Sequence, residues 1–145
     1  MQTSPALPAS RPDVGVLLAA PFSCPWTLAG SGCAWVSPTG ELDHGTSARF
    51  ARALRQAQFY ASLVAVDLRQ LDFMDSAGAH AIVAAHERAE RTAGRLVVIR
   101  GPRRIDNVFT LTGAGADLEI VDLGPGEAPH TGPAQALALL PFPTQ

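Results

Sequence analysis

One hydroxyl stands out by its setting. Ser76 follows Asp75 within the run from Leu63 to Gly78, LVAVDLRQLDFMDSAG. A buried-strand pattern ends there near Asp67, a turn plugged by Leu71 and Phe73 follows, and a helical pattern begins at Ser76. A serine in the first turn of a helix lies beside backbone N–H groups that lack an intrahelical partner. Those donors and the helix dipole favour an anion. A phosphate on Ser76 would meet that setting and add about −1.5 to −2 charges next to Asp75. It would change the surface potential without any need to unfold the chain. The same two residues also read as a plain N-cap, a common use of Asp and Ser ahead of a helix.

Other chemistries find less support. The four histidines are His44, His80, His86 and His130. His80 and His86 are six positions apart on one predicted helix, which does not put them on one face to share a metal. There is no H-E-x-x-H and no G-x-S-x-G. Ser76 and His80 stand at i, i+4, with no oxyanion donor pair evident in the sequence to complete a triad; Asp72 and Asp75 read either as an acidic pair for a metal or, equally well, as a turn and a cap. Gly30-Ser31-Gly32 is a lone glycine pair and no nucleotide fingerprint. All 11 basic residues are arginine, so neither a P-loop lysine nor a Schiff-base lysine exists. No catalysis, metal or resident cofactor is expected. Arg49, Arg52 and Arg55 read as the solvated face of a helix, with a surface for an acidic partner as the lesser alternative.

The elements that must position Ser76 fit one domain. The chain has 145 residues, a net charge of −2 and 47% apolar residues, enough for a single folded core. The charge carries no basic footprint for direct nucleic-acid binding. Cys24 and Cys33 are read as free thiols of a cytoplasmic protein. Val14–Phe22 is too short to span a bilayer, and its flanking prolines and Asp13 argue against a signal peptide. Prolines break up residues 1–25 and 124–145, although Val14–Phe22 and Ala134–Leu140 are apolar enough to pack on the domain or on a second copy in a homodimer. Between them, at 26–123, strand and helix patterns alternate. Trp26–Ala29 reads as an edge strand, followed by strands at Cys33–Val36, Leu63–Val66, Leu96–Ile99 and Leu118–Val121. Two of these are continuous apolar runs, as in strands covered on both faces.

Three helices fit between them. Phe50, Ala53, Leu54 and Ala57 repeat at helical spacing, with Thr46 or Ser47 as the cap. The second helix runs from Ser76 to Thr92, with Ala79, Ile82, Val83, His86 and Ala89 on one side and Gly94 at C′. Ile105, Val108, Phe109 and Thr112 form a short third helix ended by Gly113. The fold class is α/β, a mixed sheet of four to five strands with helices packed on it.

Asp75-Ser76-Ala77-Gly78 at a strand-to-helix turn resembles the signature of the STAS domain of bacterial anti-sigma factor antagonists. Gly40-Glu41-Leu42-Asp43, Val66-Asp67-Leu68 and Leu111-Thr112-Gly113 resemble further segments of that family, in order, across about Trp26 to Val121. The resemblance implies a STAS-like fold and a transcription-regulating phospho-switch. The unphosphorylated domain would bind an ATP-dependent anti-sigma factor kinase of histidine-kinase-like fold and so free a sigma factor. The kinase would phosphorylate Ser76, and a phosphatase would restore it. Asp43, Asp75, Ala77, Gly78 and His80 are expected to form the partner surface. Ala79 and His80 depart from the family, which commonly has leucine and glycine there. Related STAS domains also serve as subunits of lipid-transport ABC complexes and as scaffold parts of stress-sensing assemblies, which remains the alternative; a deep pocket beside Ser76 would point instead to an enzyme.

Overall fold

Short aliphatic runs and helical periodicities give the elements of this computed structural model, which describes residues 21–29 and 32–124. In chain order they are β1 (Trp26–Leu28), β2 (Cys33–Val36), β3 (Gly40–Leu42), α1 (Ser47–Tyr60), β4 (Leu63–Asp67), β5 (Leu71–Met74), α2 (Ser76–Arg91), β6 (Arg95–Ile99), α3 (Arg103–Thr112), a 3₁₀ turn (Ala114–Asp117) and β7 (Glu119–Val121). Ala134–Leu140, His130 and all of Val14–Phe22 except its last two residues lie outside the described residues, as do Gly30 and Ser31.

The main sheet has five strands in the order β1-β2-β4-β6-β7. β1 is antiparallel to β2, and the other pairs are parallel. The sheet is therefore mixed, with α1, α2 and α3 as the links between its parallel strands. Alternation along the strands sorts side chains by face. Ala34, Val36, Val64, Val66, Leu96 and Val98 point to the helices and meet Phe50, Leu54, Ile82, Ile105 and Phe109. Each fully buried side chain of that size contributes about 1.5–3 kcal/mol. Cys33, Trp35, Leu63, Ala65, Val97 and Ile99 form a second buried cluster on the opposite face. Both cysteines are free thiols.

The turn expected around Leu71 and Phe73 is instead a strand. β5 pairs in parallel with β3 in a separate two-stranded sheet. Leu71 and Met74 are buried, while Phe73 is exposed and so does not plug the turn. Gly40 has φ +84, and a Cβ there would run into the Pro21 carbonyl, so glycine serves both the backbone conformation and the close approach.

Two helix ends differ from the sequence reading. Thr46 holds the N-cap place of α1 but makes no side-chain cap bond. Asp43 satisfies the turn one step earlier. At the end of α2 the left-handed residue is Ala93, with φ 60. Gly94 packs against the chain instead, donating its N–H to the Ala89 carbonyl at 2.8 Å. Gly113 ends α3 with φ 73, as expected.

Candidate functional site

The β3–β5 pair brings two chain reversals to one corner. The loop from β3 into α1 begins at Asp43, and the β5–α2 junction is Asp75. The Asp75 N–H donates to the Leu42 carbonyl at 3.1 Å, locking the junction to the end of β3. Asp75 then uses both carboxylate oxygens. Oδ1 accepts from the Ala77 N–H at 2.9 Å, which caps α2. Oδ2 accepts from the His44 N–H at 3.1 Å, across the corner. One side chain thus fixes the helix start and the neighbouring loop together.

Asp43 is likewise committed. Its Oδ1 accepts from the N–H groups of Gly45 (2.9 Å) and Thr46 (3.1 Å), an Asx-type turn. Its own N–H donates to Thr46 Oγ1 at 2.9 Å, and that hydroxyl reaches the Glu41 carbonyl at 3.0 Å. Neither carboxylate is a loose surface charge.

Ser76 stands on this frame with its side chain outward. It is exposed, and its hydroxyl has no hydrogen-bond partner among the described residues. The expected row of open N–H groups is absent, however. The Ala77 donor is taken by Asp75 Oδ1, and those of Gly78 (3.1 Å) and Ala79 (3.3 Å) by the Asp75 carbonyl. The helix N-terminus already holds an anion, the Asp75 carboxylate.

The remaining predicted residues divide by depth. His80 is exposed and Ala77 half-buried on the same end of α2. Gly78 is buried, and a Cβ there would lie 2.7 Å from Met74 Cγ and 2.8 Å from Leu42 Cγ. Its part is to let α2 close on the β3–β5 sheet, beneath the surface formed by its neighbours. The sequence reading did not place His44 at the site; its position directly after Gly40-Glu41-Leu42-Asp43 was the available signal. Arg104, on α3, also reaches this end of the fold, donating from Nε to the Asp72 carbonyl at 2.7 Å.

Among the described residues no cluster of three or more His, Cys, Asp or Glu side chains could hold a metal. A groove of about 750 Å³ lies at the far end of α2, lined by His86, Glu90, Arg95 and Leu118 among others. Ser76 is not part of it, being 10 residues before His86, about 15 Å along the helix. Burial pushes the Cys24 thiol up to about 12, against a smaller downward pull from Arg49, and burial also raises that of Cys33.

A mixed five-stranded sheet with helices stacked on one face, and a serine exposed at a strand-to-helix corner, define a small α/β module. The chain belongs to the STAS domain family, whose pattern matches residues 29–123. Solved structures of similar fold include the anti-sigma factor antagonist SpoIIAA in its unphosphorylated form, at 18% identity and a TM-score of 0.59, covering 80% of this chain and 96% of that one. SpoIIAA of Bacillus in its phosphorylated form matches at 19% identity and 0.59, covering 80% and 97%. An anti-sigma factor antagonist from Mycobacterium paratuberculosis matches at 18% identity and 0.64, covering 81% and 92%. No helix among the described residues is long and apolar enough to cross a membrane.

Proposed function

We propose that the chain is an anti-sigma factor antagonist switched by phosphorylation of Ser76. Unmodified, the module at 26–123 binds an anti-sigma factor kinase in the cytoplasm and so frees a sigma factor. Phosphorylated, it releases the kinase until a phosphatase restores the hydroxyl. The observation that carries this reading is the exposed, unbonded Ser76 hydroxyl on a corner whose two carboxylates are held in place. Ser76, Ala77 and His80 form the contact face, edged by Asp43 and Asp75, with Gly78 setting its shape from below. A partner closing over this face would have to desolvate a phosphate dianion beside fixed carboxylates. Like charges juxtaposed at an interface cost several kcal/mol, and every 1.4 kcal/mol is about tenfold in affinity, so one phosphate would weaken binding about a hundredfold or more.

The test is phosphate incorporation and kinase binding with the cognate kinase and ATP. Ser76→Ala should retain binding and lose incorporation, and Ser76→Glu should weaken binding. Unchanged incorporation in Ser76→Ala would refute the site.

A further inference from the structure

A second surface lies away from Ser76, where the C-terminal halves of α1 and α2 pack together. Gln58 of α1 staples the two helices. Its Nε2 donates to the Ala85 carbonyl at 2.8 Å, and its Oε1 accepts from Arg88 Nε at 2.8 Å. The Arg88 guanidinium is thereby aimed into the seam. Arg55 precedes Gln58 by one turn of α1, and Arg91 follows Arg88 by one turn of α2, so all three guanidinium groups converge there. Among the described residues none of the three forms an ion pair; the arginines that do are Arg69, Arg95 and Arg100. Glu87 and Glu90 share α2, but Glu90 is 3.4 Å from His86 Nε2 and Glu87 makes no ion pair among the described residues. The pKa of Arg88 is held below the usual arginine value by partial burial and then by the charges of Arg55 and Arg91.

The helix dipole accounts for Arg88 and Arg91, which stand in the last turn of α2. It does not account for Arg55, which comes from the other helix and adds to the repulsion. Gln58 also lines a hollow of about 300 Å³, together with Phe59, Tyr60, Ala61, Ser62 and Thr92. Phe59 is 81% exposed and Tyr60 62%, and the two rings meet edge to face at 5.0 Å. Phe59 is four residues beyond Arg55, on the same face of α1. A hollow walled on one side by aromatic rings and a guanidinium cluster with no ion pair among the described residues therefore meet at Gln58.

We infer that this seam is a docking site for an acidic segment of a protein partner, separate from the Ser76 face. An apolar side chain of the segment fills the hollow against Phe59, and flanking carboxylates pair with Arg55, Arg88 and Arg91. Charge complementarity sets the sign of the occupant. The held geometry of Arg88 suits an oxyanion such as a carboxylate, which a guanidinium group grips through two parallel bonds. Aromatic and arginine side chains of this kind are the usual energetic centres of protein interfaces. Three arginines on a chain of net charge −2 are a small footprint for a phosphate backbone or a lipid surface.

The experiment is an amide-resolved NMR titration of the full chain with a short peptide holding adjacent leucines flanked by glutamates. Shifts confined to Arg55, Phe59, Arg88 and Arg91, weakened roughly tenfold or more in R55Q/R91Q and by raised salt, are expected. Both substituted side chains are exposed, so folding is retained. Shifts scattered elsewhere, equal binding by R55Q/R91Q, or binding to vesicles of anionic phospholipid but not to the peptide would overturn the assignment. Ser76→Glu should bind the peptide as tightly as the unaltered chain, so loss of this site and loss of the Ser76 switch are separately visible.

Discussion

Asp75 is the side chain on which the corner depends, and replacing it separates its two duties. In Asp75→Ala the α2 cap is lost, a change that costs about 1 kcal/mol. The His44 N–H also loses a charged acceptor, about another 1–1.5 kcal/mol. The two bonds lie on different elements, so the sum is about 2–2.5 kcal/mol. For a domain of about 100 residues each kcal/mol moves the melting midpoint by about 4–8 °C, so Asp75→Ala should melt roughly 10–15 °C lower. Asp75→Asn can still cap, since Asn serves there as well as Asp. Its amide nitrogen would then face the His44 N–H, donor against donor, and about half the loss should remain. Ser76→Ala is the control: its hydroxyl is exposed and unbonded, and such changes stay within about 0.5 kcal/mol. Thermal unfolding by circular dichroism ranks the variants, and hydrogen exchange at the His44 amide reports the second bond. Asp75→Ala and Ser76→Ala melting together would refute the bridging role, and so would an unchanged exchange rate at His44.

Three further outcomes follow from the packing and the thiols. Gly78→Val should destabilise by about 1–3 kcal/mol in urea unfolding, because its side chain would have to displace Leu42 and Met74. Asp67→Ala should cost about 1.5–3 kcal/mol, since the buried Asp67 carboxylate accepts from Trp35 Nε1 (3.3 Å), from the Arg69 N–H (3.0 Å) and from Arg69 Nε and Nη2 (both 2.9 Å); urea unfolding followed by tryptophan fluorescence measures it. Cys24 has an ordinary value of 9.0 and is pushed up to about 12 in the fold. Its contribution to stability is present below about pH 9 and is lost as pH rises toward 12, because the unfolded thiol ionises first. The urea midpoint should fall across that window, less so in Cys24→Ser, and neither thiol should react with an aromatic disulfide at pH 8 until the chain is unfolded.

The central strands were legible because β4 and β6 contain unbroken apolar runs, Leu63–Val66 and Leu96–Ile99, buried on both faces, a pattern few other elements produce. β3 and β5 were not. Each has three or four residues and buries only its two end residues, so each becomes a strand through the other, some 30 positions away. The expected contents of the corner were therefore partly legible. Asp75 before Ser76 is a local cap signal, readable from a few residues. The bond from Asp75 to His44 depends on the β3–β5 register, which no local pattern encodes. The end of α2 shows the same override. Gly94 was the natural left-handed residue, yet a Cβ there would stand 3.0 Å from the Ser62 carbonyl. The strand contact claims the glycine, and Ala93 takes the left-handed turn at about 1–2 kcal/mol.

The occupied helix N-terminus bears on the sign of the proposed switch. Had the first-turn N–H groups been free, a phosphate on Ser76 would have been drawn onto them, rebuilding the corner and masking part of its own charge. With Asp75 Oδ1 on the Ala77 N–H and the next two donors on the Asp75 carbonyl, only the Ser76 N–H itself is left to it unless the cap breaks. A phosphate there gains little from the helix and remains exposed beside two fixed carboxylates. Among the described residues the Ser76 hydroxyl makes no bond whose loss would loosen the fold. The switch so built acts by repelling a partner rather than by reshaping the domain. Ser76→Glu should then melt close to the unaltered chain while losing kinase affinity. A variant that lost both together would mean that the added charge had displaced Asp75 from its cap, and the switch would be conformational.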